Sequence, residues 1–157
     1  MEIFSTIAYA FQVASTPTNL LWCAVGVILG TLVGVLPGVG PTSGIAMLLP
    51  VTTLLPPASG IIMLAGIYYG SQYGGSTTSI LVNIPGEVSS VPTCLDGYPL
   101  ARVGLAGHAL AIAAIASFVA GTLGLVGLTF FAPFLANLAF SLGLPEYFLL
   151  MVLALTI

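Results

Sequence analysis

Residues 68–85, YYGSQYGGSTTSILVNIP, set hydroxyls, amides and closely approachable backbone between two apolar runs. Gly70, Ser71, Gln72, Gly74, Gly75, Ser76, Thr77 and Thr78 supply donors and acceptors without a charge, which suits recognition of a polar solute better than acid–base chemistry. A second stretch of the same kind, PGVGPTSG at residues 37–44, precedes the apolar run IAMLLP. In hydrocarbon an unpaired backbone group costs several kcal/mol, so irregular backbone at that depth must be buried in protein or line a watery cavity. The expectation is therefore a helix broken at a binding site over residues 58–84, facing a second, short half-helix.

Composition fixes the medium. The chain is 59% hydrophobic and 3% charged, where a soluble domain carries roughly a quarter charged residues. This is the composition of an all-α, multi-span integral membrane protein. Its charges are Glu2, Glu87, Asp96, Arg102 and Glu146. One arginine and no lysine exclude nucleic-acid binding, which needs several cations on phosphates. Cys23 and Cys94 lack the spacing of a metal or redox pair and read as small apolar side chains. No metal site and no catalytic group are expected.

The elements that must position the two polar stretches follow in order. Residues 1–16 place Ile3, Ile7, Phe11 and Ala14 on one face, opposite Ser5, Tyr9 and Gln12, and read as a helix lying in the interface; Pro17 with Thr18 and Asn19 restarts the chain. Residues 20–36 form a first span anchored by Trp22, with Gly26, Gly30 and Gly34 making a smooth face for a neighbouring helix. In residues 37–57 the glycines do not match a nucleotide loop, because Gly44 lies four rather than three positions after Gly40 and no lysine follows. Thr42 and Ser43 read instead as N-caps of a short re-entrant helix ending before Pro50. Gly66, Gly70 and Gly74 repeat the four-residue spacing. Residues 85–104 read as a polar loop in which Asp96-Gly97 and Pro99 form a turn; its Arg102 favours the cytoplasm. A long span covers residues 105–132 and is closed by Pro133. Residues 133–157 form a short segment and a final helix opened by Pro145 and Glu146. From Glu146 onward the chain covers roughly 18 Å of a core about 30 Å thick, which suggests the incomplete N-terminal part of a larger fold.

The order of PGxGP, YYGxQYGGS, NIPG and DGYPLA, with these separations across residues 34–121, closely resembles the large membrane subunit of tripartite tricarboxylate transporters. The resemblance implies a secondary transporter subunit in a bacterial inner membrane. It would work with a small membrane subunit and a periplasmic solute-binding protein that delivers citrate or a related carboxylate. The driving ion gradient would be sodium, with the proton as second choice, and there is no bound cofactor. Glu87 departs from the pattern, since a small or hydroxyl residue is expected after NIPG. A carboxylate facing the site would repel an anion, so Glu87 is expected in the loop, away from substrate.

A carboxylate that crosses such a protein must exchange water for fixed dipoles. With so few cations, positive potential has to come from helix N-termini and free amides at the two breaks, as in discontinuous-helix transporters. Thr42, Ser43, Gln72, Gly75, Ser76, Thr77 and Asn83 are the candidate substrate residues. Unwound backbone at Gly38, Gly40 and Gly74, with Thr78, is the candidate ion site. Each Ser or Thr has an alternative role, bonding back to its own helix. His108 at the start of the long span reads as structural, and Tyr68, Tyr69 and Tyr73 either line a vestibule or pack. The competing classes are a passive channel or scaffold subunit, which would ordinarily show a ring of like charges, and an intramembrane serine hydrolase, for which His108 stands far from Ser76 with no neighbouring acid.

Overall fold

The computed structural model describes residues 2–141 and 143–156, which among themselves are helical with no strand. Helices α1 (Glu2–Ala14), α2 (Pro17–Gly34), α3 (Gly40–Thr52), α4 (Pro57–Val82), α5 (Val91–Leu100), α6 (Ala106–Phe140) and α7 (Leu144–Thr156) follow one another. A 3-10 turn at Val88–Ser90 leads into α5 and a π-turn at Ala101–Leu105 follows it. The chain divides into two units at residues 114 and 115. In the second, the Tyr147 hydroxyl donates to the Ala139 carbonyl at 3.2 Å.

The first unit is built on α2 and α4, which run parallel. Gly26, Gly30 and Gly34 face the backbone of Met63, Ile67 and Ser71 in turn, while Gly66, Gly70 and Gly74 face that of Cys23, Val27 and Thr31. A Cβ on Gly66 would lie 2.8 Å from the Cys23 carbonyl oxygen, and one on Gly30 would overlap the Ile67 carbonyl. Small residues at this spacing let two membrane helices touch backbone to backbone. Helix α3 returns antiparallel to α4: Gly44 near its start lies against Val33 and Ile67, and Thr52 at its end lies against Gly60. At about 1.5 Å per residue, α3 is about 20 Å long and α4 about 39 Å. The buried large side chains Met63, Ile67 and Ile80 all belong to α4, which makes it the core helix. At the opposite end Asn19 links three helices, its Nδ2 donating to the Val13 carbonyl (2.8 Å) and its Oδ1 accepting from the Ser59 hydroxyl (2.6 Å).

Several expectations are corrected. The helix over residues 58–84 is not broken: α4 runs without interruption through all 26 of its residues, and its glycines serve the contact with α2. The segment 85–104 is not a loop but largely helical. Asp96-Gly97 lies inside α5 because Gly97 packs on Ile80, where a Cβ would come within 2.7 Å of Ile80 Cγ1; tertiary contact overrides the turn chemistry. The real turn is at Gly104, with φ of 86°. Thr42 and Ser43 are not caps, since α3 starts at Gly40 with Val39 at the N-cap and Pro41 in its first turn. Nor does α3 end before Pro50, or the long span at Pro133; both prolines lie inside helices. Membrane helices tolerate such prolines when neighbouring groups re-satisfy the freed carbonyl; at the end of α3 the Thr52 and Thr53 hydroxyls donate to the Leu49 and Pro50 carbonyls of the last turn. Asn19 and Thr18 fall in the first turn of α2, whose N-cap is Thr16.

Two helices are long and apolar enough to cross a bilayer among the described residues, Pro17–Gly34 and a stretch within Val88–Asn137. Along α6 the side chains of Phe118, Leu123, Phe130 and Phe131 are exposed, as a lipid- or protein-covered helix requires.

Gly30→Ala should destabilise the first unit by about 1–3 kcal/mol through backbone overpacking, read as a lower midpoint of thermal unfolding in detergent. Gly124→Ala, which meets nothing within 4 Å, should leave that midpoint unchanged. Asn19→Ala strands the buried Ser59 hydroxyl at a cost of about 1–3 kcal/mol, and limited proteolysis should then cut faster between α1 and α2.

Candidate functional site

Where α2 ends, the turn into α3 is set by two glycines in the left-handed region, Gly38 (φ 80°) and Gly40 (φ 61°), which a side chain would strain. Helix α4 continues past this level to Asn83, whose left-handed conformation (φ 60°) caps it. The chain then folds back, and Gly86 comes down on α2 and α4 so closely that a Cβ on it would collide with both Gly34 and Gly75. A Cβ on Gly75 would sit 3.4 Å from the Gly86 Cα, and one on Gly86 would press on the Gly34 carbonyl at 2.5 Å. The Gly38 N–H donates to the Gly86 carbonyl at 3.1 Å, tying the two turns together.

Between the tied turns and α4 lies a cavity of about 440 Å³ lined by Gly38, Gly40, Pro41, Thr42, Tyr68, Gln72 and the segment from Gly86 to Ser89. This is within the roughly 300–1,000 Å³ typical of small-molecule sites. Two helical segments begin at its wall: α3 at Gly40 and the run that enters α5 at Val88. The start of α3 presents unpaired first-turn N–H groups and the positive end of its dipole; the start of the Val88 run is capped by Glu87, which takes the Ser90 N–H. No cationic side chain lines it. Tyr68 stacks edge-on against Tyr69, with ring centroids 5.6 Å apart. The Ser89 hydroxyl lies 2.6 Å from Glu87 Oε1 and 3.1 Å from Gln72 Oε1, and the Ser90 hydroxyl accepts from the Glu87 N–H at 3.3 Å.

The structure brings together Gly38, Gly40, Thr42 and Gln72 of the residues expected from sequence, and sets the others elsewhere. Ser76, Thr77 and Thr78 donate to the carbonyls of Gln72, Tyr73 and Gly75, so their hydroxyls are turned back on α4. Gly74 is packed on α2, and because α4 is continuous its carbonyl is not unwound. Gly75 supports Gly86 from beneath, Asn83 ends α4, and Ser43 is exposed outside the cavity lining. Glu87 is the other correction: it lines the cavity instead of standing away from it. Sequence reasoning missed Ser89 and Gly86 and discounted Glu87. The available signal was that Glu87 is the charge nearest in sequence to the polar stretch. A separate groove of about 310 Å³ beside α5, with Asp96 and Thr93 among apolar residues, offers an anion a carboxylate and no converging helix starts.

No solved structure matches the chain. A curated relative from Agrobacterium vitis, described as an uncharacterized 52.8 kDa protein in the TAR-I ttuC' 3' region, is 57% identical over 157 residues. That alignment takes in all of this chain and 31% of the relative, so the chain spans about a third of that protein's length. The family model for the tripartite tricarboxylate transporter TctA family matches residues 20–157, which include every residue of the cavity lining. The chain belongs to the tripartite tricarboxylate transporter TctA family.

Proposed function

We propose that this chain supplies the N-terminal part of the large membrane subunit of a secondary transporter in a bacterial inner membrane, importing citrate-like tri- or dicarboxylates down an ion gradient. A periplasmic solute-binding protein delivers the substrate and a small membrane subunit completes the assembly. The observation that carries the reading is the cavity into which α3 and the Val88–Leu100 run both begin. Helix starts are ready-made anion sites, and here they stand in for cationic side chains that the lining lacks. Thr42 and Gln72 supply the side-chain donors beside them. The expected second helix start was an unwound α4; the Val88 turn takes its place at the cavity wall. Family membership supports a transport role over catalysis.

Uptake of labelled citrate into proteoliposomes holding the complete transporter tests this directly. Accumulation driven by an imposed gradient is expected; equilibration alone would indicate a channel, and chemical change of the citrate an enzyme. Gln72→Leu removes a donor to a charged ligand, worth about 1.5–3 kcal/mol, and should raise the half-saturating citrate concentration by roughly tenfold or more. Gly75→Leu should abolish uptake without impairing membrane insertion, because a larger side chain unseats Gly86 and with it one wall of the cavity. Normal uptake by the Gly75→Leu protein would remove this cavity from consideration.

A further inference from the structure

Three oxygens lie in a row on the cavity wall: Gln72 Oε1, Ser89 Oγ and Glu87 Oε1, spaced 3.1 and 2.6 Å. Two contacts of hydrogen-bond length need two hydrogens, and the serine hydroxyl carries one. The row is satisfied in two ways. With Glu87 ionised, Ser89 donates to the carboxylate, and the Gln72 amide turns to donate its NH₂ to Ser89. With Glu87 protonated, its O–H donates to Ser89, Ser89 donates to Gln72 Oε1 as the amide is oriented here, and the Gln72 NH₂ turns to the cavity. The two amide orientations fill the same space and differ only in which end donates.

We infer that Glu87 is a proton-binding residue whose protonation, relayed through Ser89, turns the Gln72 amide into a donor for a carboxylate substrate. The inference rests on the transport reading above and names its coupling ion. Charge in the cavity favours the same assignment. An anion sharing this cavity with an ionised Glu87 is repelled, and because that carboxylate caps the Val88 run it also takes up the positive end of that helix start. A proton from solvent converts the carboxylate to a neutral carboxyl and removes the repulsion, so anion and proton enter together. Glu87 is the N-cap of the Val88 run, and its side chain accepts from the Ser90 N–H; the other groups facing it are few. From α4 come Tyr68, the other titratable side chain of the lining, and the neutral Gln72; the turn and first residues of α3 contribute Gly38, Gly40, Pro41 and Thr42, with no charge. Asp96, Arg102 and His108 are not in the lining.

Citrate binding to the purified complete transporter should be followed by calorimetry in buffers of different ionisation enthalpy at about pH 8, where citrate's carboxyl groups are ionised. The wild type should take up about one proton per citrate and lose affinity about tenfold per pH unit as pH rises. Glu87→Gln, which keeps the shape and lacks the charge, should bind with no proton uptake and a flat pH profile. Ser89→Ala should bind about tenfold more weakly, because Gln72 loses its orienting partner. Proton uptake that persists in Glu87→Gln, wild-type behaviour of Ser89→Ala, or binding that needs sodium and ignores pH would each overturn the assignment. Gradient-driven uptake alongside any of these leaves the transport reading standing. Proton-linked binding without accumulation in proteoliposomes would sink transport and leave the Glu87 site, and absence of citrate binding would overturn both.

Discussion

The backbone contact between α2 and α4 governs the rest of the first unit. Carbonyls of each helix lie in glycine notches of the other, and a single methyl at Gly30 or Gly70 would drive into main chain rather than into a side chain that can yield. Because the pair is parallel, something has to carry the chain back, and α3 does so in 13 residues. Because α4 outlasts α2 beyond Gly74, there is a step above the end of α2, and the segment after Asn83 folds onto that step. The cavity exists because of the step.

This contact also explains why the core helix looks unlike a membrane span. Helix α4 is not among the helices apolar enough to cross a bilayer by composition, yet it holds half of the described residues that are buried. Its glycines and serines are shielded by α2, α3 and α5, so they need not be compatible with lipid. Helix α6 is the opposite case, apolar all round with exposed phenylalanines.

Some of this was legible in the chain. The all-α class, the glycine stripe of α2 and the break after Leu36 follow from residues whose physics has one reading. Gly38 and Gly40 do take backbone angles that only glycine adopts easily. The stretch from Gly70 to Thr78 has two readings, because small polar residues serve an unwound binding site and a close helix contact equally well. What decides is whether each hydroxyl has a carbonyl one turn back, and Ser76, Thr77 and Ser79 all do. Asp96-Gly97 misled for a related reason: the same dipeptide makes a turn when alone and a close contact when Ile80 lies across from it. The site was illegible as a unit because Thr42, Gln72 and Glu87 meet only once α4 overshoots α2 and the chain doubles back.

The distribution of backbone freedom bears on the transport role proposed above. A carrier has to change which side of the membrane its site faces, and the α2–α4 pair cannot slide without main chain colliding with main chain. The segments mounted on it are different. Residues in the left-handed region flank them, Gly38 and Gly40 before α3, Asn83 before the Val88 turn and Gly104 after α5, and such points absorb rotation without disturbing a helix. The hydrogen bond from Gly38 to Gly86 joins two of these segments, so the two helix starts that face the cavity are tied to each other. A packed pair carrying two tied helix starts is an arrangement that sets the wall of the cavity on a scaffold of main chain against main chain.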